Sequence, residues 1–238
     1  MDFIFMLTRD DRTVPECLDL VDRLAPLNLR HVGFKDVGVD QATLAKLHAR
    51  IKAMGAVSYM EVVSTSPEAA LNSARVASQI GVDCLLGGTE VDAVQEILRG
   101  SAIQYYPFAG FPEGHPTKLG GTPEDVAQHC RDYLGKACAG VDLLAYRATE
   151  ADPLDLVRAA RGALGESWLI VAGSVNSPAR VNALADAGAD AFTIGTAVFD
   201  ASFLPGKPSL LDQLGAAHAA SVAASKGHPQ RTLKGLRA

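Results

Sequence analysis

Gly81-Val82-Asp83-Cys84-Leu85-Leu86-Gly87 decides how this chain is read: an amphipathic stretch stops at a glycine and a short apolar run begins at once. Glycine takes the left-handed conformation that ends a helix, and the residues after it suit a buried strand. The same marker returns at Gly140-Val141-Asp142 and Gly188-Ala189-Asp190, each ahead of another apolar run. Such recurrence points to a repeated βα unit.

Working outward from these markers, apolar runs alternate with longer amphipathic stretches along the chain. Strands are expected at Phe3–Thr8, His31–Asp36, Val57–Val63, Asp83–Gly87, Ile103–Phe108, Asp142–Tyr146, Trp168–Ala172 and Ala191–Gly195. Helices are expected at Pro15–Leu24, Gln41–Met54, Pro67–Ile80, Val91–Leu98, Pro123–Ala139, Pro153–Leu164, Pro178–Ala187 and Ser209–Ala224. Four of them open with Pro behind a capping residue: Ser66-Pro67, Thr122-Pro123, Asp152-Pro153 and Ser177-Pro178. The capping side chain accepts from free N–H groups, and proline at the first helical position gives up no internal hydrogen bond.

Alternating βα units imply parallel strands with right-handed crossovers, and eight of them close into a (β/α)8 TIM barrel of the α/β class. An open doubly wound sheet is the alternative, but Thr8-Arg9-Asp10-Asp11-Arg12 follows the first strand where that fold carries GxGxxG. The barrel is expected to span residues 1–225, leaving 226–238 as a basic, solvated C-terminal tail.

Composition narrows the partners. The 238 residues carry 22 basic and 27 acidic side chains, a net charge of −5, which leaves no footprint for nucleic acid or an anionic membrane. Aromatic residues are 6%, too few for base-stacking platforms. Cys17, Cys84, Cys130 and Cys138 form no CxxC, and the last two lie two helical turns apart in the expected fifth helix. They read as packing thiols suited to a reducing compartment. The N-terminal apolar run has no basic flank and is too short for a signal peptide or membrane span, so a cytoplasmic location is expected.

In a barrel, function sits at the carboxyl ends of the strands. After the seventh and eighth strands come Ala172-Gly173-Ser174-Val175-Asn176-Ser177-Pro178 and Ile194-Gly195-Thr196-Ala197-Val198-Phe199. Small residues there let backbone N–H groups approach an anion, although tight turns also need glycine. On strand two, alternation turns His31, Gly33 and Lys35 to the axis and Val32 and Phe34 to the helices. On strand three it turns Glu61 inward and Met60 and Val62 outward, so Lys35 and Glu61 are expected to meet near the barrel mouth. They form either a buried ion pair or a proton-transfer couple. Lys35 as a Schiff-base lysine is a further alternative.

Thr8 and Arg9 end strand one, and Arg147 follows strand six. An arginine at a barrel mouth suits a phosphate or carboxylate, or else pairs with Asp10, Asp11 or Glu150. The longest connection, residues 109–121, holds four glycines together with His115 and Lys118. It is expected to be a mobile lid over a phosphorylated ligand, or else a passive surface loop. No metal is expected, since only His31 lies in a strand, and no cofactor is expected either.

The segment Val171-Ala172-Gly173-Ser174-Val175, with Ala185-Asp186-Ala187-Gly188-Ala189-Asp190-Ala191-Phe192-Thr193-Ile194-Gly195-Thr196-Ala197, resembles the closing quarter of the ribulose-phosphate-binding barrels. That group includes the histidine-biosynthesis isomerase, sugar-phosphate epimerases and the N-acylmannosamine-6-phosphate 2-epimerases. The resemblance is specific over about residues 168–199, and it implies a phosphate held by the backbone around Gly173, Ser174, Gly195 and Thr196. Ser174 departs from the pattern, which often has a second glycine there. The chemistry implied is proton abstraction beside a carbonyl, an isomerase or epimerase acting on a small phosphorylated metabolite. A carbon–carbon lyase shares the enediolate intermediate. A catalytically silent phosphometabolite sensor or assembly subunit is the non-enzymatic alternative, and a homo-oligomer stays open.

Overall fold

The computed structural model describes residues 1–64, 66–226 and 231. In chain order the strands are β1 (Asp2–Met6), β2 (Thr8–Arg9), β3 (Arg12–Thr13), β4 (His31–Lys35), β5 (Val57–Glu61), β6 (Cys84–Leu86), β7 (Gln104–Tyr106), β8 (Phe111–Glu113), β9 (Lys118–Gly120), β10 (Gly140–Leu143), β11 (Trp168–Val171) and β12 (Ala191–Ile194). The helices are α1 (Cys17–Leu24), α2 (Gln41–Ala53), α3 (Pro67–Ile80), α4 (Val91–Leu98), α5 (Pro123–Gly135), α6 (Pro153–Leu164), α7 (Pro178–Ala187), α8 (Thr196–Phe199) and α9 (Leu210–Ala224).

Eight strands form one parallel sheet in the spatial order β10-β11-β12-β1-β4-β5-β6-β7. The seam between β7 and β10 closes through a parallel bridge of Phe108 with Asp142, and the Asp142 N–H donates to the Pro107 carbonyl at 2.9 Å. The sheet is therefore a (β/α)8 barrel. β2–β3 and β8–β9 are two-stranded antiparallel ribbons set into the loops after the first and fifth barrel strands.

Alternation divides the core in two. Val32, Phe34, Met60 and Val62 pack in the layer between sheet and helices. Ile4, Met6, Tyr59, Leu86, Tyr106, Trp168 and Ile170 fill the barrel axis. Gly33 faces that axis because a Cβ there would lie 2.4 Å from the Met6 sulfur. His31 closes the lower layer, with Nδ1 2.9 Å from the Tyr59 hydroxyl. Burial lowers its pKa and favours the neutral ring.

Helix starts follow the capping signals at three of the four Pro positions. Thr122 and Asp125 form a reciprocal capping box, Asp152 accepts from Leu154 and Asp155, and Ser177 accepts from Arg180. Ser66 makes no side-chain cap. α5 stops at Gly135 rather than Ala139, so Cys138 lies beyond the helix instead of on one face with Cys130. All four cysteines are free and buried.

The glycine markers differ in what they do. Gly81 and Gly188 end α3 and α7 in the left-handed conformation, whereas Gly140 stands inside β10. A Cβ on Gly140 would lie 1.9 Å from the Trp168 carbonyl oxygen, so the close approach of β11 demands glycine. The strand begins two residues earlier than the apolar run suggests, and Ala145–Arg147 is a 3-10 turn.

Of the C-terminal tail, Lys226 and Arg231 are described, and the remainder lies outside the described residues. Arg231 is docked rather than solvated. Its guanidinium lies 3.2 Å from both Asp190 and Glu166, and its carbonyl accepts from the Trp168 indole N–H. Among the described residues no helix is long and apolar enough to cross a membrane.

Two glycine substitutions separate steric need from helix propensity. Gly140→Ala should cost about 3 kcal/mol or more through overpacking against β11. Gly162→Ala, inside α6 with nothing within 4 Å of the added carbon, should gain about 0.5–1 kcal/mol. Urea unfolding of both variants measures the contrast.

Candidate functional site

The ribbon after β1 builds the mouth of the barrel. Thr8 pairs with Thr13 and Arg9 with Arg12, leaving Asp10-Asp11 as a two-residue turn. Both turn residues take positive φ, 50° and 57°, as the twist-matched hairpin turn requires and as aspartate tolerates better than most residues. The ribbon is pinned to β4 by Thr13, whose hydroxyl donates to the Lys35 carbonyl at 2.7 Å and accepts from the Lys35 N–H at 2.8 Å. This clasp turns the Asp11 carboxylate into the barrel.

There Asp11 meets two cations. Lys35 Nζ donates to Asp11 Oδ1 at 2.8 Å and to Glu61 Oε1 at 2.9 Å. Arg147 forks onto the same carboxylate, Nη2 to Oδ1 at 2.8 Å and Nη1 to Oδ2 at 3.0 Å. Burial works against the Asp11 charge, but the Arg147 hydrogen bond and the Lys35 charge hold its carboxyl well below the usual range. Burial also works against the Lys35 ammonium, and the charges of Glu61 and Asp11 outweigh it, raising the lysine pKa. Lys35 therefore stands as a cation.

Lys35 and Glu61 meet as alternation requires, but not at a wet mouth. They are 6% and 5% exposed, roofed by Asp11 and Arg147. Arg147 does pair with an acidic neighbour, and the pair lies in the barrel mouth rather than on the outer surface. Facing the same charges is Asp142 on β10, completely buried, with neither carboxylate oxygen hydrogen-bonded among the described residues. Burial raises its pKa well above the ordinary value, and the Glu61 charge adds to this against the opposing charges of Lys35 and Arg147. The balance pushes the Asp142 carboxyl toward its neutral form.

Above this layer opens a cleft of about 450 Å³, lined by residues from five loops. Asp11 and Arg147 form its floor, Ser174, Asn176 and Thr196 stand on one wall, and His115 reaches in from the β8–β9 ribbon. Ser174 adopts φ 57°, the conformation that a glycine would supply in the related pattern. Among the described residues, the backbone N–H groups of Gly173, Ser174, Val175 and Asn176 make no hydrogen bond. Asp10, Asp200 and Ser202 complete the cleft rim.

Other expected site residues fall elsewhere. Gly173 lies under Arg147, where a Cβ would come within 2.4 Å of the guanidinium Nε. Gly195 lies against Thr8, where a Cβ would come within 2.7 Å of the backbone oxygen. Both glycines thus serve packing, whatever they do for a ligand. Thr8 is buried against Gly195 and does not line the cleft. Arg9 is exposed and stacks over Phe199 at 5.3 Å, and Lys118 is exposed on β9; neither lines the cleft.

Residues 109–121 are a folded hairpin rather than an open loop. Leu119 is 1% exposed and bridges to Ala148, and the Gly110 N–H donates to His129. Sequence reading named Asp11 only as a partner for a mouth arginine and passed over Asp142. Asp10-Asp11 between paired Thr-Arg and Arg-Thr steps is a legible hairpin turn. Asp142 hid in a repeat whose other aspartates, Asp83 and Asp190, accept backbone N–H groups of the neighbouring strand and pair with Lys52 and with Arg161 and Arg231.

Comparison with known proteins agrees on architecture. No protein-family model matches the sequence, and no curated protein matches it. The fold belongs to the TIM-barrel class. Orotidine 5'-phosphate decarboxylase from Pyrococcus horikoshii OT3 is similar at a TM-score of 0.63 and 13% identity, over 92% of this chain and 99% of that one. The Amycolatopsis orientalis BexX/CysO complex gives 0.62 and 17%, over 97% and 93%. A mandelate oxidase mutant carrying an FMN adduct gives 0.59 and 14%, over 93% and 71%.

Burial of the Lys35–Glu61 pair makes the two partners unequal. Lys35→Met strips Glu61 of the only cation it contacts among the described residues and should cost about 3–5 kcal/mol. Glu61→Gln leaves Lys35 on Asp11 and should cost well under that, as denaturant titration would show. Asp142 has the opposite pH signature. Its folded pKa is raised, so the native state keeps a proton that the unfolded chain loses above about pH 4. Wild type should lose stability relative to Asp142→Asn as pH rises from there toward the folded pKa, by at most about 1.4 kcal/mol per pH unit. Melting temperatures of the two proteins from pH 5 to 8 test the sign.

Proposed function

We propose that the cleft binds a small phosphorylated carbonyl compound and that the barrel transfers a proton at the carbon beside the carbonyl, as an isomerase or epimerase. One observation carries this reading. A single cleft carries on one wall backbone N–H groups that make no hydrogen bond among the described residues, and its floor, Asp11 and Arg147, roofs a buried acid–base cluster.

The phosphate would take the N–H groups of residues 173–176, with Ser174 and Thr196 hydroxyls and His115 around it. The cleft volume of about 450 Å³ suits a sugar phosphate, within the usual range for small-molecule sites. Carboxylates of Asp10 and Asp200 would accept from ligand hydroxyls. The floor supplies the chemistry. The Lys35 ammonium would stabilise the negative oxygen of an enediolate, and a carboxylate beside it would take the carbon-bound proton. Glu61 is that carboxylate, reached when an anionic ligand draws the Arg147 fork away from Asp11.

The raised pKa of Lys35 counts against the Schiff-base lyase, because an imine needs the free amine. Orotidine 5'-phosphate decarboxylase, one of the similar structures, is named for a phosphorylated substrate, which is in keeping with a phosphorylated ligand for this barrel.

Gly195→Asp would be an ambiguous test, since the new side chain collides with Thr8. Ser174→Asp is cleaner, because its positive φ suits aspartate and the added charge faces the cleft. Calorimetry with inorganic phosphate should show affinity reduced at least about tenfold, with the melting temperature retained. Unchanged affinity, or no phosphate binding by wild type, removes the anion reading. Incubating wild type with pentulose and hexulose phosphates in deuterated solvent should exchange a carbon-bound proton, followed by proton NMR.

A further inference from the structure

We infer that Asp142 is the second proton-transfer residue of the site, a buried, unpartnered carboxyl on the barrel axis that protonates the intermediate opposite Glu61. This rests on the proton-transfer reading above and adds the residue that completes it.

A buried polar group that the fold itself leaves idle carries this inference. Asp142 has no exposed surface, and neither of its oxygens has a hydrogen-bond partner among the described residues. Leaving such a group unpaired costs free energy, and native structures rarely do so without a use for it. Packing does not require the carboxyl. The equivalent aspartates of the repeat earn their place by holding strand N–H groups: Asp83 accepts from Ser58 and Asp190 from Leu169, both at 2.8 Å. Those two residues immediately precede β6 and β12. Asp142 is the third residue of β10, so the same triplet is out of register and its side chain turns to the axis.

Its neighbours there define what it can do. Glu61, Lys35 and Arg147 are the charges that act on it. Glu61 stands on β5 and Asp142 on β10, three strands apart one way round the barrel and five the other. The two carboxyl groups therefore approach the axis from opposed walls. A carbon held between them can lose a proton on one face and gain one on the other, which is what inversion at that carbon requires.

The step balances. The Glu61 carboxylate takes the carbon-bound proton, and the C–H electron pair becomes the C=C bond of an enediolate. The carbonyl π pair moves to oxygen beside the Lys35 ammonium. Asp142 then gives its proton to the same carbon from the other side, the C=C pair forms the new C–H bond, and the carbonyl returns. Glu61 is left protonated and Asp142 ionised, and proton exchange with solvent restores both.

The test uses infrared spectroscopy of the full chain at pH 7, with phosphoglycolohydroxamate as a phosphorylated enediolate mimic and inorganic phosphate as the control. The expected result is a protonated-carboxyl band in wild type that is absent from Asp142→Asn and shifts when the hydroxamate binds. In Asp142→Ala the hydroxamate should bind at least about tenfold more weakly, while inorganic phosphate changes by less than about twofold. No such band, a band unmoved by bound hydroxamate, or equal hydroxamate affinity in wild type and Asp142→Ala overturns the assignment while leaving phosphate binding intact. If Asp142→Ala does not fold, the band and its shift decide alone. Failure of wild type to bind either compound overturns the phosphate reading and this inference with it.

Discussion

A lysine ammonium on the axis of a barrel cannot stand alone, and the architecture of the mouth follows from neutralising Lys35. Taking that charge out of water is tolerable only with carboxylates in direct contact and their remaining lone pairs used. Glu61 supplies one from the adjacent strand. The other comes from Asp11, which reaches the axis only because a tight hairpin, with two residues at positive φ, folds back over the barrel. Arg147 completes the arrangement from across the mouth and ties it to the β8–β9 ribbon through the Thr117 carbonyl, 3.3 Å away. One carboxylate thus joins the ends of three separate loops.

The layering below explains why this polar cluster is confined to one end. Ile4, Met6, Tyr59, Leu86, Tyr106 and Ile170 fill the axis beneath it with buried, largely apolar volume. Charged groups above that plug feel low dielectric on one side and the cleft on the other. The same position that makes Asp11 a firm anion pushes the Asp142 carboxyl toward its neutral form, because Asp11 has two cations in contact and no cation hydrogen-bonds Asp142 among the described residues. Burial works against the charge of both aspartates; two cations in contact overcome it at Asp11, and nothing comparable does at Asp142.

The loops after β11 and β12 carry a double constraint. Gly173 gives passage to the Arg147 side chain and Gly195 to the backbone of Thr8, so both glycines are needed for the closed mouth before any ligand arrives. A glycine-rich phosphate motif is therefore weak evidence when read from sequence, since the same letters satisfy packing. The N–H groups of residues 173–176, without hydrogen bonds among the described residues, and the place of Ser174 and Asn176 on a cleft wall separate the two uses, and these are visible only in three dimensions.

The sequence alone determined the βα rhythm, because strand and helix periods, capping residues and helix-ending glycines are local properties that survive without tertiary context. It also determined that Lys35 and Glu61 share the axis, since alternation along a strand is geometry. Tertiary structure decided the rest. The register of β10 was set by the Trp168 carbonyl, which admits only glycine at position 140, and that register turned Asp142 inward. The hairpin at Asp10-Asp11 carried a carboxylate across a distance that no spacing in the chain reveals. Whether the lysine pair was wet or buried depended on that roof, because burial is a sum over the whole fold and not a property of any segment.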